Sequence, residues 1–317
     1  MHQLKGLIIR AQSGFLTVRT DEGDFISRIR GRLKKGRVEG DIVAVGDWVL
    51  ITPLEDGTGA IDEVLPRTHL LSRQLSGIKR NFQQILLANP DQVVFVFACA
   101  RPEPHLRMLD RFLVVAERQG IPAIILANKV DLVEMSEAEA LFGVYQELGY
   151  TLIYTSAKTN QGIEDLRRHL AGKLSAFAGP SGVGKSSLLN AVQPNLGLAV
   201  RSVSESTSKG LHTTQVRELF PLEGGGYVAD MPGLRTLALW DIEPEELDAY
   251  FKELRPLVSE CQFNDCTHSH EPGCAVIKAV ESGTVDAGRY ESYLRLRFGG
   301  DLEEEDLAMS DEEYSEE

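Results

Sequence analysis

Short runs of alternating or β-branched apolar residues fill the first 66 residues, and none of these runs has the spacing of a helix. Glycine, aspartate and serine separate the runs, as turns require. The predicted strands are Leu4–Arg10, Gly14–Thr20, Asp24–Arg30, Asp41–Thr52 and Gly59–Val64. Five short strands in so few residues favour a small barrel of the oligonucleotide-binding (OB) kind. An SH3-like barrel is the alternative, because strand count alone does not separate the two.

From about residue 84 onward, apolar runs of strand length alternate with amphipathic stretches of helix length. The predicted strands are Val93–Ala98, Pro122–Ala127, Thr151–Thr155 and Lys173–Ala178, and the predicted helices are His105–Arg118, Ser136–Leu148, Ile163–Leu170 and Lys185–Val192. This alternation predicts a parallel sheet with helices on both faces. Two further strands are predicted at Gln215–Pro221 and Tyr227–Asp230. After Pro232 only helical patterns remain, at Glu243–Val258 and Gly273–Phe298.

The composition is typical of a cytosolic multidomain protein. The 317 residues are 43% hydrophobic and 25% charged, which is ordinary for globular chains and sufficient for sizeable cores. The longest apolar run, from Val93 to Ala100, is far shorter than the roughly 18 residues that a membrane span needs. The first residues lack the charged and apolar pattern of a signal peptide. We therefore expect a cytoplasmic location and no membrane partner.

The net charge of −14 is unevenly distributed along the chain. Ten acids and no base lie in residues 301–317, which we interpret as a solvated, disordered tail. The remaining chain is nearly balanced, with 37 acids against 33 bases. One short segment has the opposite bias, and its six bases are Arg28, Arg30, Arg32, Lys34, Lys35 and Arg37. At a loop of an OB-like barrel, such a run would contact nucleic-acid phosphates.

The strongest motif is a glycine-rich loop between a predicted strand and a predicted helix. It matches G-x-x-x-x-G-K-S and consists of Gly179, Pro180, Ser181, Gly182, Val183, Gly184, Lys185 and Ser186, followed by Ser187. Glycines let backbone N–H groups surround phosphates, and the start of the following helix adds its positive end. Lys185 would reach the β- and γ-phosphates, and the Ser186 hydroxyl would bind Mg²⁺. The motif therefore predicts a nucleotide-binding phosphate loop.

Polar loops after two successive strands predict that the base is guanine. Asn128-Lys129-Val130-Asp131 follows one strand, and Ser156-Ala157-Lys158 follows the next, so that Asn128, Lys129, Asp131, Ser156, Ala157 and Lys158 are candidate base-binding residues. The Asp131 carboxylate would accept hydrogen bonds from N1–H and the N2 amino group of guanine, and adenine offers neither donor there. Lys129 would lay its methylene stem over the base, and Asn128 would bridge neighbouring loops. Each motif alone is weak evidence for guanine binding, but the two motifs together, in the same sheet as a phosphate loop, are strong evidence for it.

Further candidates for catalysis lie in two segments after the phosphate loop. They are His212, Thr213, Thr214, Asp230 and Gly233, with Lys185 of the loop itself. Asp230 would reach Mg²⁺ through water, Gly233 would contact the γ-phosphate, and one of the two threonines would complete the Mg²⁺ shell. Leu234 stands where Ras-like enzymes carry a water-orienting glutamine, so we expect slow intrinsic hydrolysis that a partner raises. His212 is a candidate for orienting the water, and an exposed loop histidine without a catalytic duty is the equal alternative.

Three of the four cysteines lie close together in the C-terminal region. The cluster reads C-x4-C-x-H-x5-C and consists of Cys261, Cys266, His268 and Cys274, with His270 as a rival fourth ligand. Three thiolates and one imidazole form the usual ligand set of a closed structural zinc site. The polar residues between them would not pack a core unaided, so the metal would supply folding energy. Cys99 ends an apolar strand and is interpreted as a small buried residue.

The order of these motifs is rotated relative to Ras-like proteins. In Ras-like chains the phosphate loop comes before the guanine-binding loops, whereas here residues 128–131 and 156–158 precede it. Such a circular permutation preserves the sheet, because it moves only the termini, which usually lie close together. The segment after Gly233 therefore leads straight into the C-terminal region, to which the nucleotide state could be passed.

The chain resembles the circularly permuted small-subunit ribosome biogenesis GTPases, the RsgA or YjeQ family. The resemblance rests on the barrel, residues 128–131, the spelling G-P-S-G-V-G-K-S-S at 179–187, His212-Thr213-Thr214, Asp230–Gly233 and the cysteine cluster. It implies GTP/GDP and Mg²⁺ as cofactors, partner-stimulated GTP hydrolysis, late maturation of the small (30S) ribosomal subunit, and binding to that subunit and its rRNA. It assigns one Zn²⁺ to Cys261, Cys266, His268 and Cys274, in preference to His270.

On this interpretation the chain is a monomer with four parts. We expect an OB-like β-barrel at 1–66, a circularly permuted α/β GTPase domain at 67–240, a helical zinc-binding domain at 241–300 and the acidic tail at 301–317. Two other classes are considered, a GTP-dependent metal chaperone and a nucleic-acid-binding scaffold with a vestigial nucleotide site. A chaperone would need a labile, open metal site, and the intact motif residues count against a scaffold.

Overall fold

The N-terminal strands form a closed barrel in which inward and outward side chains alternate. A computed structural model of the chain describes residues 2–31, 33, 42–74, 83–198, 217–230 and 242–299. The barrel strands are β1 (Leu4–Gln12), β2 (Phe15–Thr20), β3 (Gly23–Ile29), β4 (Trp48–Pro53) and β5 (Gly59–Val64). They pair in the order β1-β2-β3-β5-β4, and a β1–β4 pairing closes the ring. The predicted five-stranded barrel is confirmed, with Ile8, Val18 and Ile61 fully buried inside it.

The chain before β4 is a loop, not the early part of a strand. The strand predicted at Asp41–Thr52 begins only at Trp48. At Gly46, where φ is +89°, an added Cβ would lie 2.1 Å from the Ala88 carbonyl oxygen, so this loop touches the next unit directly. Asp47 is buried and forms a 2.7 Å ion pair with Arg67. These contacts join the barrel to a hairpin of β6 (Leu70–Gln74) and β7 (Gln83–Ala88), which the sequence patterns did not indicate.

A second, mostly parallel sheet follows, and we call it the central sheet. Its strands are β8 (Gln92–Ala98), β9 (Ala123–Asn128), β10 (Thr151–Thr155), β11 (Leu174–Ala178), β13 (Phe220–Pro221) and β14 (Tyr227–Asp230), and its helices are α1 (Leu106–Arg118), α2 (Met135–Glu147), α3 (Ile163–Leu170) and α4 (Lys185–Val192). The strand order is β10-β9-β8-β11-β14-β13, and only β13 runs antiparallel to its neighbour. Alternate residues of β8 face different cores, one shared with α1 and α2 and the other with α3 and α4. The prediction of helices on both faces is confirmed.

The strand predicted at Gln215–Pro221 divides between the two sheets. Within the described residues, β12 (Arg217–Glu218) pairs with β1 of the barrel, and β13 pairs with β14 of the central sheet. Leu219 lies between them, is buried, and donates its N–H to the Ile9 carbonyl at 2.8 Å. Pro221 has no N–H to offer a ladder, which suits the edge position of β13. This short segment therefore belongs to both units.

The C-terminal region is less helical than its apolar spacing predicts. The helix predicted at Glu243–Val258 is wrong, because a 3₁₀ helix at Pro244–Tyr250 gives way to irregular turns and Pro256 has no N–H for a helical bond. The span predicted at Gly273–Phe298 is two helices, α5 (Ala275–Glu281) and α6 (Ala287–Phe298). Gly283, with φ +75°, ends the first of them in the left-handed conformation.

Candidate functional site

The phosphate loop is in close contact with β8 and with the loop after β9, and two glycines make this possible. It connects β11 to α4, as predicted. A Cβ on Gly179 (φ +149°) would lie 2.2 Å from the Val96 carbonyl oxygen. A Cβ on Gly184 (φ +98°) would lie 2.5 Å from Nδ2 of Asn128. Neither approach leaves room for a side chain, so the glycines determine how close the loop lies to β8 and to the loop after β9.

The Lys185 ammonium lies across the curve of this loop. Its Nζ donates to the carbonyl oxygens of Gly179 and Pro180, each at 2.8 Å. Ser186 follows as the second residue of α4 and is partly exposed. The positive charge and the hydroxyl are thus carried next to each other at the start of a helix, where phosphate and a phosphate-bound cation are favoured.

Asn128 and Lys129 connect the loop after β9 to the phosphate loop. Asn128 is buried, donates from Nδ2 to the Val183 carbonyl at 2.7 Å, and accepts at Oδ1 from the Thr155 hydroxyl at 3.1 Å. Lys129 donates from Nζ to the Gly182 carbonyl at 2.7 Å and also to the carbonyl of Arg101. Burial lowers the pKa of Lys129, and the nearby Asp131 charge partly opposes this. These bonds hold two distant stretches of sequence together.

Asp131 is held by the loop after β10. The Ser156 hydroxyl donates to its Oδ1 at 2.6 Å, and Nζ of Lys158 lies 3.7 Å from its Oδ2. Ser156 itself is fully buried, and its backbone N–H donates to the Gln161 carbonyl. The carboxylate is therefore positioned by a neighbouring loop that is itself fixed, as a specificity group needs to be.

One cavity of about 710 Å³ opens between these loops. Its lining includes Asn128, Lys129, Asp131, Ala157, Lys158, Gly184 and Ser187 from the predicted motifs, and Arg101, Leu132, Asn160, Asn190 and Ala191 besides. The volume is within the usual range for small-molecule sites. The motif after β9, the motif after β10 and the phosphate loop thus meet in one place. Sequence reasoning missed Arg101, although it follows β8, whose carboxyl end lies at the same edge of the sheet.

Asp230 ends β14 with one carboxylate oxygen unused. It lies opposite Phe177 in the pairing of β14 with β11, just before the phosphate loop. Its Oδ1 is buried and has no hydrogen-bond partner among the described residues. Burial raises the pKa of Asp230, and the Lys185 charge works in the opposite direction. A buried acceptor without a donor, next to a phosphate loop with a serine hydroxyl, fits a Mg²⁺ ion bound through oxygen ligands.

The other predicted catalytic residues lie outside the described residues. His212, Thr213, Thr214, Gly233 and Leu234 belong to this group, as do Arg32, Lys34, Lys35 and Arg37 of the basic run and the acidic tail. The roles assigned to them stay predictions.

The four predicted zinc ligands converge. One ligand atom from each of Cys261, Cys266, His268 and Cys274 lies within 4.8 Å of all the others. Nδ1 of His268 is 3.5 Å from Sγ of Cys261 and 3.4 Å from Sγ of Cys274, and these sulfurs are 3.9 Å apart. Tetrahedral zinc with Zn–S near 2.3 Å would place sulfurs about 3.8 Å apart and a sulfur about 3.6 Å from a nitrogen. The cluster therefore fits a zinc ion, whereas His270 is exposed and bonds Ser269 instead.

Asp248 orients the histidine from outside the cluster. Its Oδ2 lies 3.2 Å from Nε2 of His268, the ring nitrogen that faces away from the sulfurs. A carboxylate in this position fixes the tautomer and the orientation of a metal-binding imidazole. The sequence analysis missed Asp248, since it lies 20 residues before His268 in a segment with no metal-ligand spacing.

The start of α5 favours the thiolate form of one ligand. Burial alone would raise the pKa of Cys261, but backbone N–H groups of Ala275 and Val276 lower it, with help from His268, and the net direction is downward. Cys274 caps the same helix and accepts from the Ile277 N–H at 3.4 Å.

An N-K-x-D loop lies before the phosphate loop in the sequence and shares a cavity with it. Together with the N-terminal barrel and the C-terminal Cys₃His cluster, this order of motifs defines a circularly permuted GTPase. The family model described as RsgA GTPase matches residues 64–240, and that described as RsgA N-terminal domain matches residues 5–61. The chain belongs to the RsgA GTPase family, and the predicted family resemblance is confirmed.

Its relatives match over nearly their whole length. A protein of Gemmatimonas aurantiaca named small ribosomal subunit biogenesis GTPase RsgA is 48% identical over 92% of this chain and 96% of its own. The crystal structure of YjeQ from Thermotoga maritima has a TM-score of 0.77 at 38% identity and covers 94% of this chain and 98% of its own. YloQ, described as a circularly permuted GTPase, has a TM-score of 0.72 at 35% identity and covers 93% of this chain and 94% of its own. In the part of the chain that the structure describes, no helix is both long and apolar enough to span a membrane.

Proposed function

We propose that this chain hydrolyses GTP to GDP and phosphate during late maturation of the small ribosomal subunit, binds the subunit and its rRNA, and is stimulated by them. The observation that carries the proposal is the shared cavity of the loops at 128–131, 156–158 and 179–187. Relatives named small ribosomal subunit biogenesis GTPase support the biological setting. That setting implies action in the cytoplasm, and we propose that the chain acts as a monomer.

Each described residue has a role that its contacts support. Asp131, held by Ser156, would accept the two guanine donors, and adenine would leave its charge unpaired. Lys129 would cover the base, and Lys185 would move from the loop carbonyls to the β- and γ-phosphates. Asp230 and the Ser186 hydroxyl would hold Mg²⁺, which neutralises developing phosphate charge. His212, Thr213, Thr214 and Gly233 remain the proposed groups around the γ-phosphate.

The remaining parts of the chain would support and direct this reaction. We propose the division predicted from the sequence, with the barrel at 1–66, the GTPase domain at 67–240 and the zinc-binding domain at 241–300. Zn²⁺ would be structural, because four protein ligands fill a tetrahedron and leave no open position for delivery of metal. Removal of zinc by a chelator should then unfold the C-terminal region, and this unfolding would be measured as a loss of the helical circular dichroism signal. Zinc release without unfolding would favour the metal chaperone instead.

The test is GTP hydrolysis with and without purified small ribosomal subunits. We expect a low basal rate that the subunits raise, and an unchanged rate would refute the proposed stimulation. Lys185→Ala should abolish nucleotide binding or turnover, whereas Lys278→Ala, on α5 of the C-terminal region, should not. Asp131→Asn should reduce the preference for GTP over other nucleotides. A vestigial site would show no turnover even in the unmodified protein.

A further inference from the structure

The turn from Thr267 to His270 presents the histidine of the zinc cluster, and its backbone is unusual at that residue. His268 has φ +58°, a left-handed conformation that few residues other than glycine adopt. Its ring is buried, and Nδ1 is directed at the sulfurs of Cys261 and Cys274. Such a conformation persists only where the surrounding structure holds it in place. We therefore looked for the groups that hold this turn.

The Glu271 carboxylate holds the turn, because both of its oxygens accept hydrogen bonds from it. Oε1 accepts from the backbone N–H of Thr267 at 2.7 Å and from the hydroxyl of the same residue. Oε2 accepts from the backbone N–H groups of Ser269 at 3.1 Å and of His270 at 3.2 Å. Hydrogen bonds of this kind are strengthened by the negative charge of the acceptor. The backbone of the turn is thus wrapped around one carboxylate.

Only an ionised carboxylate satisfies all of these donors. In a glutamine of the same shape, one of the two oxygens is replaced by an amide NH₂ group, which donates and does not accept. This group would face either the two donors of Thr267 or the N–H groups of Ser269 and His270. Two hydrogen bonds would be lost in either case, and the turn would carry unsatisfied donors next to a metal ligand.

Two tyrosines of α6 hold the other side of the turn. The Tyr290 hydroxyl donates to the His268 carbonyl at 2.6 Å, and the Tyr293 hydroxyl donates to the Thr267 carbonyl at 3.0 Å. Glu271 therefore fixes the N–H side of the turn, and α6 fixes the carbonyl side. With the backbone held from both sides, Nδ1 of the imidazole keeps its direction toward the sulfurs.

We propose that Glu271 is a positioning residue of the zinc site, which binds no metal itself and folds the turn that presents His268 to the ion. This role rests on the proposed function, in which the cluster holds a structural zinc ion. A carboxylate so close to three thiolates would itself be a candidate ligand. Glu271 is not among the four residues whose ligand atoms converge, however, and its oxygens are occupied by the turn.

The test measures metal binding by the full chain with Glu271→Gln. We expect zinc affinity, measured by competition with a chelating indicator, to fall about tenfold. Co²⁺ loaded in place of zinc provides a second readout, because its visible absorption bands report the ligand set and the coordination geometry. The spectrum of Glu271→Gln should shift toward that of His268→Ala, in which the nitrogen ligand is removed. A residue that only stabilised the fold would lower the melting temperature and leave this spectrum unchanged.

Glu260→Gln is the matched control. Glu260 is exposed and directly precedes Cys261, so this change removes a negative charge close to the metal without removing a hydrogen bond of the turn. We expect the zinc affinity and the Co²⁺ spectrum of the unmodified protein.

A pair of variants at Thr267 tests the same turn if Glu271→Gln does not fold. Thr267→Val removes the hydroxyl that donates to Glu271, and it should weaken zinc binding by a smaller factor. Thr267→Ser keeps that hydroxyl and should bind zinc as the unmodified protein does. Equal zinc affinities of the valine and serine variants would count against the proposal.

Unchanged zinc affinity in Glu271→Gln would overturn the positioning role alone, and so would a lower melting temperature with an unchanged Co²⁺ spectrum. Equal losses of affinity in Glu271→Gln and Glu260→Gln would also overturn it, because negative charge near the metal would then be the cause. Failure of the unmodified protein to bind zinc would refute the proposed zinc site and the positioning role together.

Discussion

At the scale of single residues, Asp230 has the least favourable surroundings of the nucleotide site. Its buried Oδ1 has no partner in the described chain, and burial raises its pKa. Asp230→Asn should therefore stabilise the nucleotide-free protein by about 1 kcal/mol, because it removes an unsatisfied buried charge. The same change should lower GTP turnover, because a neutral amide holds Mg²⁺ poorly.

Calorimetry without nucleotide and a GTPase assay measure the two effects of Asp230→Asn together. Asp165→Asn, an exposed aspartate on α3, should change neither. A lower melting temperature for Asp230→Asn would show that the carboxylate is satisfied in the nucleotide-free protein.

Asp248 should control zinc affinity although it binds no metal itself. Asp248→Ala frees Nε2 of His268 from its 3.2 Å contact, so the imidazole loses its orientation. We expect a fall in zinc affinity of about tenfold or more, measured by competition with a chelating indicator. His270→Ala is the control, because that ring bonds Ser269 outside the ligand cluster. Equal affinities in the two variants would contradict the orienting role.

These residues also show what single-sequence reasoning reaches at this scale. The zinc ligands lie within 14 residues, so their spacing is visible in the chain. Asp248 and Arg101 act through tertiary proximity, and nothing in their local sequence distinguishes them from surface residues. Whether His212 orients water stays a prediction, since it lies outside the described residues.

At the scale of elements, backbone conformation limits what the phosphate loop tolerates. Gly179→Ala should destabilise the protein by about 1–3 kcal/mol and weaken nucleotide binding, since its Cβ would lie 2.2 Å from a backbone oxygen at φ +149°. Gly143→Ala is the matched change, because Gly143 lies in α2 with open space at its Cβ. It should stabilise the helix by about 0.5–1 kcal/mol. Chemical denaturation and nucleotide titration of both variants provide the measurement, and equal signs of the stability change would contradict the argument.

Elements with local signals were predictable, and elements shaped by distant partners were not. The bounds of β10, α3 and α4 agree with the apolar pattern because their periods extend over the whole element. The split of residues 217–221 between two sheets depends on where β1 and β14 lie, and no local pattern contains that information. In the C-terminal region, Leu247, Phe251 and Leu254 have helical spacing and are buried, but irregular turns satisfy the same spacing.

At the scale of the whole molecule, the barrel and the C-terminal region each share an apolar core with the central unit, and they differ in the polar contacts that accompany it. The barrel adds backbone contacts, namely the close approach of Gly46 to Ala88 of the β6–β7 hairpin and the pairing of β12 with β1. The C-terminal region adds buried charge, because Arg289 of α6 reaches Asp110 of α1, 179 residues away in sequence. Helical spacing predicts that such a residue is on a helix, but not that its guanidinium is buried.

Arg289 should be the most sensitive position of this second attachment. Its Nη1 donates to Asp110 at 2.6 Å and its Nε to Glu253 at 2.7 Å, and all three side chains are almost fully buried. Burial alone would lower the pKa of Arg289, but the carboxylates of Asp110 and Glu253 raise it by a larger amount. The net direction is upward, so the guanidinium stays charged. Arg289→Met keeps an unbranched apolar stem, removes the guanidinium and leaves two buried carboxylates without their cation, which should cost about 3–5 kcal/mol.

Denaturant unfolding and retained zinc report the effect of Arg289→Met. Arg295→Met, on the same helix, removes a more exposed pairing with Glu291, so we expect a change below about 1 kcal/mol. Adding Asp110→Asn to Arg289→Met should recover part of the loss, because one of the stranded charges disappears. If the losses of stability from Asp110→Asn and Arg289→Met simply add in the double variant, Arg289 stabilises the interface by packing alone. Removing the Asp110 charge can restore stability only if that unpaired charge caused part of the loss.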